Sequence, residues 1–370
     1  MSKTYRVAVI GRTGKGNYGH GLDTVWLGVA NAAVVAVADE DEKGRAAAAQ
    51  RLKAKAAYAD YRQMLDKERP QIVSVAPRWL DCHRDMVVAC AEAGAHIFLE
   101  KPLCRTLAEA DEMVAACERH HVKLAIAHQT RYSPRLARLR ELLAAGRLGD
   151  LLELRGRGKE DARGGGEDLM VLGTHIMDLM RFLAGDPHSC YAQVLHAGKP
   201  VTKAEVREGN EGIGPLAGDH ITAVYSFPNG VQATFGTRRN GHPPGARLSR
   251  FGLSVYGTKG IVQLTTGSLP PVYFLDDNSW SPGQSKAQWQ ELTSAGLGKP
   301  EPLKDGGLGQ GNLWIAHDLI EAIEKDRQPL GSVYDGRAAL EMILAVYEAH
   351  RLKGPVALPL KNRQHPLALL

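Results

Sequence analysis

Phe98-Leu99-Glu100-Lys101-Pro102-Leu103 places a single lysine at the carboxyl end of an apolar run, late in a series of strand-like segments that begins at a glycine-rich N-terminus. Pro102 fixes its own φ and keeps Lys101 out of the helical region, so a cation is held on a rigid turn. Open α/β sheets bind ligands outside the carboxyl ends of their strands. Lys101 is therefore the first candidate for chemistry.

The segments before it alternate in period. Tyr5-Arg6-Val7-Ala8-Val9-Ile10 is a β-rich run, followed by glycines, a helix-like stretch and a second run, Ala33-Val34-Val35-Ala36-Val37-Ala38. Helical patterns over 43–52 and 61–68 lead to a strand at 72–76, a helix over 84–93 and the strand 95–99. Thr106-Leu107-Ala108-Glu109 is a capping-box pattern that opens another helix, and 123–127 is a further parallel-type strand. Continuous apolar strands separated by helices predict α/β architecture with a doubly wound parallel sheet buried on both faces.

After about residue 130 the texture changes. Residues 151–157, 220–227, 231–237, 251–256 and 260–265 read as strands with no long helices between them, and Pro228-Asn229-Gly230 carries a hairpin signal. Two late helical patterns, 313–325 and 335–351, close the chain, and 268–311 reads mostly as loop. The expectation is a dinucleotide-binding domain over 1–129 and an α+β domain over 130–370 with a large open, mainly antiparallel sheet.

The chain of 370 residues is 44% hydrophobic and 24% charged, the balance of an ordinary soluble protein of about two domains. No run reaches the ~18 apolar residues of a membrane span, and the first residues lead straight into a strand without an apolar signal core, which predicts a cytoplasmic protein. Five cysteines stand singly without metal-ligand spacing, so reduced thiols and no metal site are expected. A net charge of +5 spread among many acids argues against a nucleic-acid partner.

The first loop reads Gly11-Arg12-Thr13-Gly14-Lys15-Gly16-Asn17-Tyr18-Gly19-His20-Gly21. A pyrophosphate needs glycines there, because the backbone must approach closely with its N–H groups facing the anion. Two registers compete. One starts at Gly11 and has Thr13 where the second glycine belongs; the other is complete at Gly14, Gly16 and Gly19. The acid expected about 20 residues on, to hold the ribose hydroxyls, is Asp39. Asp39, Glu40 and Asp41 would repel a 2′-phosphate, favouring NAD over NADP unless Arg12 and Lys15 reach the ribose.

The glycine loop, Asp39, the Ala76-Pro77…His83 strand end, the Glu100-Lys101-Pro102 motif and Gly173-Thr174-His175-Ile176-Met177-Asp178 together resemble the Gfo/Idh/MocA family of glucose-fructose oxidoreductases and inositol dehydrogenases. The likeness runs from about residue 5 to 360 and takes in Tyr256-Gly257-Thr258-Lys259-Gly260. It implies an N-terminal Rossmann domain, a C-terminal sheet domain carrying substrate and oligomer contacts, and redox chemistry on sugars or polyols. Lys101 matches the motif lysine that lies between nicotinamide and substrate, and His175 matches the histidine that takes the hydroxyl proton. Pro77, Trp79, His83 and Glu100 fall with Lys101 on the cofactor side. Trp79 is a candidate for stacking on the nicotinamide or a sugar face, against a plain packing role. Arg131 and Tyr132 sit where family members line the substrate pocket.

One departure stands out. Many members carry an aspartate four residues before the histidine, and here that position is Val171. Asp178, on the same helix face as His175 at i,i+3, is the candidate replacement, and Glu167 or Asp168 could swing in from the preceding loop. Segments 158–166 and 209–218 are candidate lids, and composition fits ordinary surface loops equally well.

The leading expectation is an NAD-dependent oxidoreductase moving a hydride between a secondary hydroxyl of a sugar, sugar derivative or cyclitol and the nicotinamide. The alternatives are a glycoside hydrolase or lyase working through transient oxidation and elimination, and a noncatalytic dinucleotide-binding regulator. An open sheet face has to be covered, which predicts a homodimer or homotetramer.

Overall fold

The apolar runs of the first half become parallel strands. In a computed structural model that describes residues 4–241, 250–281 and 283–370, β1 (Tyr5–Ile10), β2 (Ala32–Ala38), β3 (Ala56–Tyr58), β4 (Ile72–Val75), β5 (His96–Leu99) and β6 (Leu124–Ile126) form one sheet. Its order is β3-β2-β1-β4-β5-β6, with every pair parallel. Val7, Val9, Val37, Val73 and Ile97 have no solvent exposure, as a sheet covered on both faces requires. The short β3 has too few residues to leave a pattern, and sequence reading passes over it.

Helices α1 (Glu42–Leu52), α2 (Tyr61–Glu68), α3 (His83–Glu92) and α4 (Leu107–Arg119) fill the crossovers. Asp41, Asp60 and Thr106 cap three of them, accepting from the N–H groups of Gly44, Arg62 and Glu109, each cap stabilising its helix by about 1 kcal/mol. Glu109 reaches back not to Thr106 but to the N–H and guanidinium of Arg105. Between β1 and β2, where a helix is expected, the chain makes only the 3-10 turn Thr24–Gly28. Trp26 pins that turn, donating from Nε1 to Ser74 Oγ at 2.7 Å while its ring meets Phe98 edge-on.

Two compact units emerge. The first holds Met1–Gln129, Asn210–Gly214 and Leu308–Arg337; the second holds Thr130–Gly209, Pro215–Gly307 and Ala338–Leu370. Two segments that sequence reading assigns to the second domain thus belong to the first unit. Helix Leu308–Glu324 packs on the Thr24–Gly28 turn, where Leu313 comes so close to Gly28 that a Cβ there would lie 3.0 Å from it. Glu211 and Gly212 lie against Arg78 and Asp81.

The second unit is built on an eleven-stranded sheet. Its main path runs Gly296–Leu297, Gln290–Thr293, Val272–Leu275, Ile261–Thr265, Gly252–Gly257, β7 (Leu151–Arg157), Gln232–Arg238, His220–Ser226, β8 (Ser189–His196) and Val356–Ala357. All pairs along it are antiparallel except β7 with Gln232–Arg238. Three of these strands, Val272–Leu275, Gln290–Thr293 and Gly296–Leu297, lie within 268–311, which the pattern gave to loop. Asn229 and Gly230 both take positive φ and turn the hairpin between its partners. Helices α5 (Pro134–Ala144), α6 (Gly166–Val171) and α7 (Gly173–Ala184) belong to this unit. Gly156 of β7 lets Ile176 and Met180 of α7 settle onto the sheet, since a Cβ there would collide with both. Along β8, His220–Ser226 and Gln232–Arg238 burial alternates, so one face is covered and the other meets solvent.

Among the described residues no helix is long and apolar enough to cross a membrane. All five cysteines are free thiols.

Candidate active site

In the first unit the strand order reverses between β1 and β4, the switch point at which doubly wound sheets bind ligands. The loop leaving β1 is not a single glycine turn. Arg12 and Asn17 pair as an antiparallel bridge, so residues 13–16 make a small hairpin standing out of the loop. The glycines of the two registers take different places in this loop. Gly11 follows the strand directly and lies under the Tyr18 ring, which leaves no space for a Cβ. Gly14 turns the hairpin tip with φ +82°, and a Cβ there would meet nothing within 4 Å. Gly16 and Gly19 face the neighbouring loops, the first against the backbone of Arg78 and Trp79, the second against Ala76 O and the Glu100 carboxylate.

Thr13 is not a substitute glycine but a latch. Its N–H and hydroxyl both donate to the Asp39 carboxylate, the hydroxyl at 2.7 Å, and the Asp41 N–H donates to the same group. Arg12 is diverted to Asp81 at 2.9 Å. An acid at the end of β2, with the nearby arginine drawn away from it, fits a ribose with free hydroxyls better than a 2′-phosphate. A glycine loop at the switch point together with this acid fits a dinucleotide, although the N–H groups of Gly11, Gly14 and Gly19 are given to Ala38 O, Asn17 Oδ1 and Gly16 O. Because only a 3-10 turn follows β1, backbone N–H groups of the loop would hold the pyrophosphate, and the α-helix N-terminus expected from sequence is not there.

His83 requires a correction. The expectation made it a cofactor contact, but it has no solvent exposure. Its Nε2 lies 2.7 Å from Pro77 O and its Nδ1 3.1 Å from both Pro102 O and Leu103 O, so the ring ties the β4 and β5 loops together. Pro77 is buried and Trp79 half-buried at the start of the short turn Leu80–Cys82. Lys101, 7% exposed, follows β5 and is joined to Pro102 by a cis peptide bond. Glu100 is wholly buried behind it.

In the second unit, α7 carries His175 and Asp178. Gly173, beneath the Phe235 ring, allows the helix to start close to the sheet. His175 is half-buried, with its ring edge-on to Phe251 at 6.2 Å. The Asp178 carboxylate, the candidate for orienting His175, is engaged by Arg131. Both its oxygens accept from Arg131, Nε at 3.0 Å and Nη2 at 2.6 Å, in a bidentate pair almost closed to solvent. The Arg131 guanidinium also lies over the Phe182 ring at 4.7 Å, and Tyr132 is buried beside it in sequence. Val171 is buried and apolar. Asp168 cannot swing toward His175. It has no solvent exposure and accepts from the N–H groups of Lys159 and Glu160 and from the Thr237 hydroxyl. Burial pushes its carboxyl upward, against the pull of those donors. Asp168 thus pins the segment read as a possible lid.

Sequence reasoning missed His20, Gln129 and Asn312. His20 binds Glu100, and Asn312 from helix Leu308–Glu324 links His20 to Gln129. The string gives no sign of this, because the partners lie far apart in the chain.

Comparison with known proteins matches the chain to two family models: the oxidoreductase family NAD-binding Rossmann fold over residues 5–128, and the oxidoreductase family C-terminal alpha/beta domain over 140–358. Levoglucosan dehydrogenase of Pseudarthrobacter phenanthrenivorans is 26% identical over 328 residues, 81% of this chain and 83% of that protein. Myo-inositol 2-dehydrogenase of Thermotoga maritima is 25% identical, over 62% of this chain and 67% of its own. Among solved structures, levoglucosan dehydrogenase in complex with NADH and levoglucosan superposes with a TM-score of 0.78 at 22% identity, covering 97% of this chain and all of the other, a likeness of fold.

Proposed function

The chain belongs to the Gfo/Idh/MocA oxidoreductase family, with an NAD-binding Rossmann domain, and on that premise we propose that it oxidises a secondary hydroxyl of a sugar, sugar derivative or cyclitol. The observation that carries this reading is Lys101, a nearly buried cation at the carboxyl end of β5 with a carboxylate packed directly behind it. The nicotinamide, when bound, supplies the hydride acceptor.

The chain's own residues then divide the remaining work. Lys101 hydrogen-bonds the reacting oxygen and stabilises the negative charge that grows on it as its proton is taken, the charge that then drives hydride departure from carbon as the C=O bond forms. His175 takes the hydroxyl proton, since an imidazole with a reference pKa of about 6.5 is a usable base near neutral pH. The glycine-loop backbone at Gly16 receives the pyrophosphate, and the Asp39 end of β2 the adenosine ribose. Asp178 positions Arg131 rather than taking a proton, which leaves Arg131 and Tyr132 as substrate-side residues. The same reading includes assembly as a homodimer or homotetramer. The relatives' names, one acting on levoglucosan and one on myo-inositol, support carbohydrate and cyclitol alcohols as the class to test.

The test incubates the purified protein with NAD and a panel of free sugars, anhydrosugars, cyclitols and glycosides, reading NADH absorbance and product masses in the same samples. Accumulating NADH with a product two hydrogens lighter is expected, with a loss of about two orders of magnitude or more in Lys101→Ala. A cleaved glycoside without net NADH would overturn the dehydrogenase reading.

A further inference from the structure

We propose that His20 is a positioning residue for Lys101: from the glycine loop it clamps the Glu100 carboxylate and thereby fixes the turn that carries the lysine. The premise is the role given to Lys101 above.

Glu100 has no solvent exposure, yet each of its oxygens is held. Oε2 accepts from the backbone N–H of His20 at 3.1 Å and lies 3.0 Å from His20 Nδ1, while Oε1 accepts from the Lys101 N–H at 3.0 Å. Burial alone would push this carboxyl upward, but His20 and the charge of Lys101 outweigh it and hold the group below its ordinary range. An ionised carboxylate only accepts, so the His20 ring must carry its proton on Nδ1. The approach is close enough to dictate Gly19, where a Cβ would stand 2.7 Å from Glu100 Oε2 and 2.5 Å from Ala76 O.

His20 is itself held from behind. Asn312 Nδ2 donates to His20 O at 2.9 Å, and Gln129 Nε2 donates to Asn312 Oδ1 at 2.9 Å. Asn312 is wholly buried and Gln129 is 5% exposed, so the Gln129–Asn312 end of this line is shielded from competing water, while the His20 side chain is 34% exposed. It runs from the residues after β6, through helix Leu308–Glu324 and the glycine loop, to the peptide that carries Lys101.

Without the imidazole, which is 34% exposed, Glu100 Oε2 keeps one protein donor, and an underpaired carboxylate shifts toward the opened side or takes a proton. Either change frees the Lys101 peptide from its fixed acceptor. A displacement of ~1 Å at a reacting group costs about a hundredfold in rate, whereas ground-state binding need not change.

The experiment has two arms. In the first, ¹⁵N-edited NMR of the unmodified, cofactor-free protein reads the tautomer of His20, assigned by the signals missing from His20→Asn. A proton on Nδ1 is expected, and the Nε2–H tautomer would overturn the clamp. In the second, His20→Ala and His20→Asn are compared on the alcohol identified in the NADH assay. His20→Ala should lower kcat by about ten- to a hundredfold with KM and NADH affinity within about threefold of the parent. Asn, whose Nδ2–H can replace the ring donor, should restore most of that loss. Equal impairment of the two variants, or of neither, would overturn the proposal. Should no alcohol be oxidised, the functional reading falls by itself and the tautomer still decides the clamp.

Discussion

At the scale of single residues, the most consequential pairing is Arg131 with Asp178. Both were singled out from sequence, one for its place after the last parallel strand and one for its place after His175, but nothing in the string says that they meet across 47 positions. Their side chains are 6% and 1% exposed, so each charge depends on the other for what water would otherwise supply. Breaking such a pair from one side costs roughly 3–5 kcal/mol, whereas replacing both partners by apolar groups is often close to neutral. Asp178→Ala should therefore lower the melting temperature sharply, and Arg131→Met combined with Asp178→Leu should recover most of it. A melting temperature for Asp178→Ala within a degree of the parent would show that the pair is not holding α7 in place. His175 and Lys101 were legible as candidates because a flanking motif marks each. The commitment of Asp168 to Thr237 was not, because it depends on which strand lies beside the loop.

At the scale of elements, period and length decided what could be read. Long apolar runs such as Tyr5–Ile10 and capped helices such as Leu107–Arg119 were visible, because each repeats its pattern over several turns or pleats. Ala56–Tyr58, Val272–Leu275 and Gln290–Thr293 are too short to establish a period and gain their identity from the strands they pair with. The 3-10 turn Thr24–Gly28 replaces an expected helix because Trp26 is anchored to Ser74, a tertiary contact overriding local pattern.

The C-terminal turn Pro366–Leu369 offers a test at this scale. His365 caps it through Nδ1, which accepts from the Leu367 N–H at 3.3 Å, and burial pushes its pKa down to about 4. A histidine whose folded pKa is depressed binds its proton more readily when unfolded, so its contribution is complete above the unfolded value of about 6.5 and is lost as pH falls toward 4. The loss should reach roughly 3 kcal/mol for so buried a ring. Melting curves between pH 7 and pH 4 should fall less steeply for His365→Gln than for the parent. Parallel curves would exclude His365 as the cause.

At the scale of the whole chain, the two halves posed different problems. A parallel sheet buried on both faces writes itself as continuous apolar runs, so the strands of the first half were nearly all legible, whereas their order came from the structure. The second half keeps one sheet face covered by helices such as α7 and leaves the other to solvent, and alternation alone cannot tell water from a second subunit on that outer face. The outer residues bear on the choice. Tyr191 and Tyr273 are 54% and 41% exposed, large aromatic side chains on strands near opposite margins of one broad sheet. Aromatic residues spread over one outer sheet face suit a partner presenting the same face, and a twofold pairing is self-complementary by construction. Light scattering at micromolar concentration should then give twice or four times the chain mass, with Tyr191→Glu and Tyr273→Glu together shifting it toward one. A parent protein that scatters as a single chain would leave this face to solvent and remove the homo-oligomer from the functional reading.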